Sequence, residues 1–246
     1  MKALVTGANK GIGFEIARNL GKRGYDILLG ARDEARGQTA VEKLAAQGIA
    51  ATFIPIDLND LTSLHNVKNH IDTLDLLVNN AGIPDSIKPG RAALDMTKHT
   101  FDYTTEDLRT TMETNFLGTH ELTINVLPHL TERAKIVNIT VPISPTDFWH
   151  PLAYITSKAA LNVMTLTYAL EFEKMGSLRQ IFGIMPGAVA TDLNGMEAGA
   201  HNGFVRSPET VGALITDMIL SDNNQNGQII QYDGKIVTDY EVQLRG

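Results

Sequence analysis

The sequence contains no cysteine, which removes disulfides, thiolate nucleophiles and thiolate metal ligands together. Its seven histidines show no HxH or HExxH spacing, so no metal centre is expected. No apolar run approaches the roughly 20 residues of a membrane span. Met1 leads straight into a strand-like run rather than a signal-peptide pattern. A cytoplasmic protein with no membrane partner is therefore expected. Positive charge is also scarce. The 21 Lys and Arg face 28 Asp and Glu, giving a net charge of −7, and no nucleic-acid partner is expected.

What the chain does have is a regular alternation of strand-like and helix-like runs. Its 246 residues, 43% of them hydrophobic, suit one domain spanning 1–246 with a sizeable core. The strand candidates are Lys2–Thr6, Asp26–Ala31, Thr52–Ile56, Leu74–Asn79, Lys135–Thr140, Gln180–Met185 and Gln228–Gln231. Most are short and continuously apolar, the pattern of strands covered on both faces. Between them, Ile12, Ile16 and Leu20 recur every four residues ahead of Gly24, a C-terminal stop. Thr104 with Asp107 predicts a capped helix from about Thr105 towards Leu130, and a further helix follows from Pro151 to about Lys174. Repeated βα units predict an α/β fold, a Rossmann-type doubly wound sheet of about seven parallel strands flanked by helices. Pro55 fits an edge strand, where a missing N–H costs nothing, and strand three is the edge in the order 3-2-1-4-5-6. An early strand end explains Pro55 equally well.

The first turn carries the first sign of chemistry. Thr6-Gly7-Ala8-Asn9-Lys10-Gly11-Ile12-Gly13 joins the first strand to the first helix. Glycines there let main-chain N–H groups approach a pyrophosphate at a helix N-terminus. Gly7, Asn9, Lys10, Gly11, Ile12 and Gly13 form the candidate phosphate site. The second strand ends at Ala31-Arg32-Asp33. A ribose 2′-hydroxyl calls for an acid at this point and a 2′-phosphate for a cation. Arg32, with Lys10 in reach, points to NADP(H), and Asp33 could blunt that preference by pairing with Arg32. Asp57, followed by Leu58, is placed to accept from an adenine amino group or simply to cap a loop. Asn80, Ala81 and Gly82 follow strand four, where small residues let a cofactor cross the strand ends.

Tyr154 and Lys158 stand four apart near the start of a helix and so share a face. A neighbouring ammonium favours phenolate and lowers a tyrosine pKa towards the working range, which makes the pair a candidate proton donor. YxxxK alone is a common and uninformative pattern. The ordered set is specific: the glycine turn, Asn79-Asn80-Ala81-Gly82, Asn115, YxxxK, then Pro186-Gly187 through Val189 to Thr191. This set, with GANKGIGFE, Arg36-Gly37-Gln38 and Ser157-Lys158-Ala159-Ala160, resembles the short-chain dehydrogenase/reductase family and its carbonyl-reductase-like members.

The resemblance implies NADPH-linked reduction of a ketone or aldehyde, reversible as alcohol oxidation. Tyr154 would protonate the carbonyl oxygen, Lys158 would hold the nicotinamide ribose and tune Tyr154, and Asn115 would hold a water that feeds protons to Lys158. Pro186, Gly187, Val189 and Thr191 would flank the nicotinamide. One position departs from the family. A serine is usual thirteen residues before the tyrosine, and Val141 stands there. Valine cannot donate a hydrogen bond, and losing such a donor typically costs about 10²–10³ in rate. Ser144, beyond Pro142, is the favoured substitute. Thr140 fits only if the strand bulges, and no substitute at all is the third option.

Val141 is also the one feature favouring a protein that senses NADP(H) without turnover. A sugar-nucleotide epimerase shares YxxxK but usually has a longer C-terminal substrate region. The segments expected to shape the substrate pocket are Ile83–Phe101, Pro142–Pro151 and Leu193–Val205. Their Phe148, Trp149, Met196 and Phe204 suggest an apolar carbonyl compound, though a lid or subunit contact would use the same residues. No long insertion separates Val141 from Tyr154, so a homodimer or homotetramer is expected.

Overall fold

The computed structural model describes residues 1–85, 94, 95, 97–147 and 149–237. The seven strands are β1 (Lys2–Thr6), β2 (Asp26–Ala31), β3 (Ala51–Pro55), β4 (Leu74–Asn79), β5 (Leu130–Ile139), β6 (Gln180–Met185) and β7 (Ile229–Gln231). They form one parallel sheet in the order β3-β2-β1-β4-β5-β6-β7. Four strands keep the bounds read from the sequence. β3 sits one residue earlier than expected and β7 starts one later. β5 begins at Leu130 rather than Lys135, because Leu130 pairs with Leu74 before a register shift. The intervening polar Thr131, Glu132 and Arg133 hide that first segment from any reading based on apolar runs. Pro55 does lie on the edge strand, opposite Ala31, where its missing donor leaves no ladder bond broken.

The helices are α1 (Gly11–Lys22), α2 (Glu34–Ala45), α3 (Leu61–Asn66), α4 (Thr105–Met112), α5 (Gly118–Val126), α6 (Leu152–Lys174), the short α7 (Ala200–Gly203) and α8 (Pro208–Ile219). Adjacent strand residues face opposite ways, and the core divides accordingly. Leu29, Val78 and Val137 pack under Ile16 and Leu20 of α1 and Ile215 of α8. Leu28, Leu77 and Ile136 pack under Leu122 of α5 and Phe172 of α6. Fully burying one such side chain stabilises the fold by about 1.5–3 kcal/mol.

The helix expected from Thr105 towards Leu130 starts as read. Thr104 accepts from Asp107 N, while the Asp107 carboxylate accepts from Thr104 N. It does not run through. A π-helical turn, Glu113–Leu117, separates α4 from α5, and π turns of this kind concentrate at functional sites. The strand order reverses between β1 and β4. That reversal is where open α/β sheets bind ligands, outside the carboxyl ends of the strands.

Candidate active site

A cleft of about 1070 Å³ opens at the carboxyl ends of the strands. Its nucleotide end is built by the first turn. Gly7 and Gly11 take φ of +63° and +58°, a region that side-chain-bearing residues avoid. A Cβ on Gly7 would stand 3.0 Å from the Ala81 Cα. The turn delivers the chain into α1, whose N-terminus has no side-chain cap and no acid in its first turn. Its free N–H groups and positive dipole end are thus left for an anion.

Thr6, a residue with no motif of its own, organises the neighbouring strand. Its hydroxyl accepts from Asn80 N and Ala81 N, each at 3.0 Å, and Asn80 Nδ2 returns a 2.9 Å bond to the Thr6 carbonyl. Gly7, Asn9, Lys10, Gly11, Ile12, Asn80, Ala81 and Gly82 all line the cleft. Gly13 lies beneath the turn. A Cβ there would stand 2.6 Å from the Gly7 carbonyl, so its demand is close packing.

Two ion pairs stand at this end. Lys10 Nζ pairs with Asp192 Oδ2 at 2.5 Å across the cleft. Asp33 turns to Arg36, accepting from its backbone N–H at 2.9 Å and pairing with its guanidinium at 3.1 Å. Those bonds hold the Asp33 carboxyl below its usual range. They also cap α2, so Asp33 is spent on Arg36 and on the helix terminus. Arg32 and Arg36 both line the cleft. Arg36 appeared in the sequence only as part of a motif, and its place on the first turn of α2 beside Asp33 is the signal that could have found it. Asp57 and Leu58 line the cleft as well. One Asp57 oxygen accepts from Asn59 N at 3.0 Å, the loop-capping reading of that residue.

At the other end, Tyr154 and Lys158 rise from the first turns of α6, 8% and 2% exposed. Lys158 Nζ donates to the Ile139 carbonyl at 2.8 Å and stands 5.7 Å from the centre of the Tyr154 ring. Trp149 packs edge-on against that ring, the centroids 6.3 Å apart. Burial disfavours the charged form of each group. It pushes the Tyr154 phenol up to about 12 and brings the Lys158 ammonium down to about 8. The neighbouring ammonium alone would lower the phenol. In this structure both side chains are enclosed together, and desolvation decides both.

Asn115 sits at the centre of the π turn, fully buried. Its Nδ2 donates to the Ile83 carbonyl at 2.7 Å and to Ser157 Oγ at 2.9 Å, and its Oδ1 accepts from Ile83 N at 2.8 Å. It does not line the cleft but stands behind it. A methyl on Gly82 would lie 3.0 Å from Asn115 Oδ1 and 3.5 Å from Lys158 Nζ, which places both residues around one small backbone unit.

Pro186, Gly187, Val189 and Thr191 close the cleft from the β6 side. Asn194 Nδ2 donates to the Val189 carbonyl at 2.9 Å. Val141, Ser144, Trp149, Met196 and Phe204 line the cleft too. Thr140 is fully buried, and its N–H continues the ladder to the Ile184 carbonyl at 2.9 Å, so the strand does not bulge there. Phe148 lies outside the described residues.

The lysine's lowered pKa sets a stability prediction. A folded-state value below the unfolded one means that the unfolded chain holds the extra proton between about pH 8 and 10.5. Wild-type stability therefore rises with pH through that window, and the burial cost is fully present below it. Lys158→Met is expected to raise the melting temperature by several degrees at pH 7 in the protein without nucleotide. The gain should stay below about 3 kcal/mol, because the bond to the Ile139 carbonyl is lost. It should shrink as pH rises from 8 to 10.5. A thermal melting series against pH checks it, and a gain that grows with pH contradicts it.

A family model described as short chain dehydrogenase matches residues 1–201. The chain belongs to the short chain dehydrogenase family. This short chain dehydrogenase is 39% identical over 147 residues to mouse NADPH carbonyl reductase 1, a match covering 58% of the chain and 49% of the relative. That match spans about half the length of the mouse protein, and the bovine match spans the same share. The pig NADPH carbonyl reductase 1 is 28% identical over 288 aligned positions, covering 98% of this chain and 92% of the relative.

Among solved structures, a short chain dehydrogenase from Burkholderia cenocepacia in complex with NADP is 26% identical. It covers 93% of this chain and 94% of that one at a TM-score of 0.78. An NADPH-bound carbonyl reductase from chicken fatty liver is 25% identical, covering 96% and 98% at a TM-score of 0.79. Among the described residues of this short chain dehydrogenase, no helix is long and apolar enough to cross a membrane.

Proposed function

We propose that the chain is an NADPH-dependent reductase of a ketone or aldehyde, with Tyr154 as the proton donor. The observation that carries this reading is an enclosed Tyr154 with Lys158 beside it, lining one cleft with an uncapped, glycine-cradled helix N-terminus. The residues present fit NADP(H). Gly7, Gly11 and the uncapped N-terminus of α1 would hold a pyrophosphate, and Arg32 with Arg36 would supply cations for a 2′-phosphate. When bound, the nicotinamide supplies the hydride.

Tyr154 is protonated throughout the neutral range, since burial holds its pKa at about 12. It gives that proton to the carbonyl oxygen as the carbon is reduced, leaving a phenolate. The Lys158 ammonium stabilises that phenolate through space and lets it recover a proton. Asn115 holds Ile83 and Ser157 in place, and Oδ1 keeps one lone pair for a water beside Lys158. The aromatic and thioether lining from Trp149, Met196 and Phe204 favours an apolar substrate.

The test is to follow NADPH absorbance with a panel of ketones, aldehydes and quinones. Oxidation of NADPH supports the reading. Tight NADPH binding with no oxidation across the panel supports the sensor instead.

The cofactor preference has its own measurement. Arg32→Ala combined with Arg36→Ala is expected to raise KM for NADPH by about 10–100-fold, the worth of a charged hydrogen bond or two. KM for NADH should change little. An unchanged NADPH to NADH ratio would remove the 2′-phosphate role from this pair.

The same reading extends to assembly as a homo-oligomer. Leu117 and Ile124 near α5, with Val163 and Leu170 on α6, are 43–63% exposed, an apolar face that a second copy would cover. Sedimentation of the purified protein tests it, and a monomer at micromolar concentration removes it.

A further inference from the structure

Beyond the cleft, a largely enclosed lysine joins the residues that leave β4 to the start of α4. Lys98 is 11% exposed and its ammonium stands 2.5 Å from Asp85 Oδ2 and 3.0 Å from Asp107 Oδ2. The two carboxylates are themselves 10% and 2% exposed. The same ammonium lies 4.0 Å above the Tyr103 ring. Asp107 Oδ2 is shared, since it also accepts from Thr104 N at 2.9 Å in the capping box of α4. One cation thus joins the segment leaving β4 to the first turn of α4. Burial alone would lower the Lys98 pKa, and the two carboxylates outweigh it and hold it above its ordinary value. An ammonium taken out of water stays charged only where counter-charges hold it, and here they fix its direction as well.

Pro84 precedes Asp85 directly, and Leu94 lies four residues ahead of Lys98. Both line the cleft that holds Tyr154. The glycine turn and Arg32 belong to the opposite, nucleotide end.

We propose that Lys98 is a positioning residue for the carbonyl substrate: by tying Asp85 to Asp107 it fixes Pro84 and Leu94 as one wall of the substrate end, and so sets which carbonyl compounds fit. The proposal rests on the reductase reading. Apolar packing alone would let this wall slide, whereas charge pairs between buried groups set one position. Loss of the clasp therefore acts on substrate fit and leaves the nucleotide end alone.

The test compares KM for a bulky apolar ketone and a small aldehyde in Lys98→Met. KM for the bulky ketone is expected to rise about tenfold, with the small aldehyde, kcat and the NADPH Kd each changed by less than about threefold. Lys98→Arg should restore most of the loss, because it returns the charge. Equal changes in both KM values and in the NADPH Kd would show general loosening and overturn the proposal, as would an unchanged KM in the folded variant. If Lys98→Met fails to fold, Asp85→Asn is read in the same assay, and an unchanged ratio of the two KM values overturns it.

If the wild type does not oxidise NADPH with any carbonyl compound of the panel, the reductase reading fails and the clasp is judged on binding. Trp149 is the only tryptophan and lines the cleft, so its emission in NADP⁺-loaded protein reports occupancy by the bulky ketone. Binding that weakens about tenfold in Lys98→Met supports the clasp. Equal binding in the two proteins overturns it, and so does no binding to the wild type.

Discussion

Tyr154→Phe is expected to lower kcat for carbonyl reduction by about 10²–10⁴, the usual worth of a positioned general acid, with NADPH affinity unchanged. Phenylalanine keeps the ring that packs against Trp149 and loses only the hydroxyl, so the wall of the cleft should survive the substitution. The assay is NADPH oxidation with the best ketone of the panel, alongside NADPH binding by fluorescence. A variant that keeps a tenth or more of the rate would show that another group delivers the proton. The pH dependence follows from the same burial. The phenol stays protonated up to about pH 12, so it imposes no loss of reduction at neutral pH. Lys158 gives up its charge through about pH 8. The rate of reduction is therefore expected to fall above that pH as the cation beside the developing phenolate disappears.

The second large effect is a gain. Val141 lines the cleft at the position where the family places a serine, and its side chain has nothing to donate to a carbonyl oxygen. Val141→Ser is expected to raise kcat/KM by tenfold or more, towards the roughly 10²–10³ that one such donor is worth. The hydroxyl should act on the transition state, so the gain should appear in kcat more than in KM. A change of less than about twofold would mean that a donor is already in place. Ser144 is the first to try by substitution with alanine, since it lines the same cleft. Trp149 is the second. Its indole N–H is buried against the Tyr154 side of the cleft and has no acceptor among the described residues.

The strands were readable because parallel strands covered on both faces must be short and apolar whatever lies beside them. β5 was readable only in part, since its first half is polar and exists through pairing with Leu74. The Tyr154–Lys158 pair was visible because helix geometry fixes the relation of residues four apart before any tertiary contact forms. The substitution at Val141 was visible for a related reason, as a fixed count along one strand. The partners of single side chains were not visible. Nothing in the sequence shows that Lys10 pairs with Asp192, or that Asp33 pairs with Arg36 rather than Arg32. In each case several partners lie within reach of a long flexible side chain, and packing selects one.

By itself, then, the sequence determined the alternation of short apolar strands with helices, the glycine turn that feeds a helix N-terminus, and the helical pairing of Tyr154 with Lys158. Each follows from local backbone geometry or from periodicity within one element. Only the tertiary structure decided the π turn that brings Asn115 to Ile83, the protonation states of the enclosed phenol and ammonium, and the pairing of Lys98 with both Asp85 and Asp107. These depend on desolvation and on contacts between elements, and both come into being only when the chain has folded.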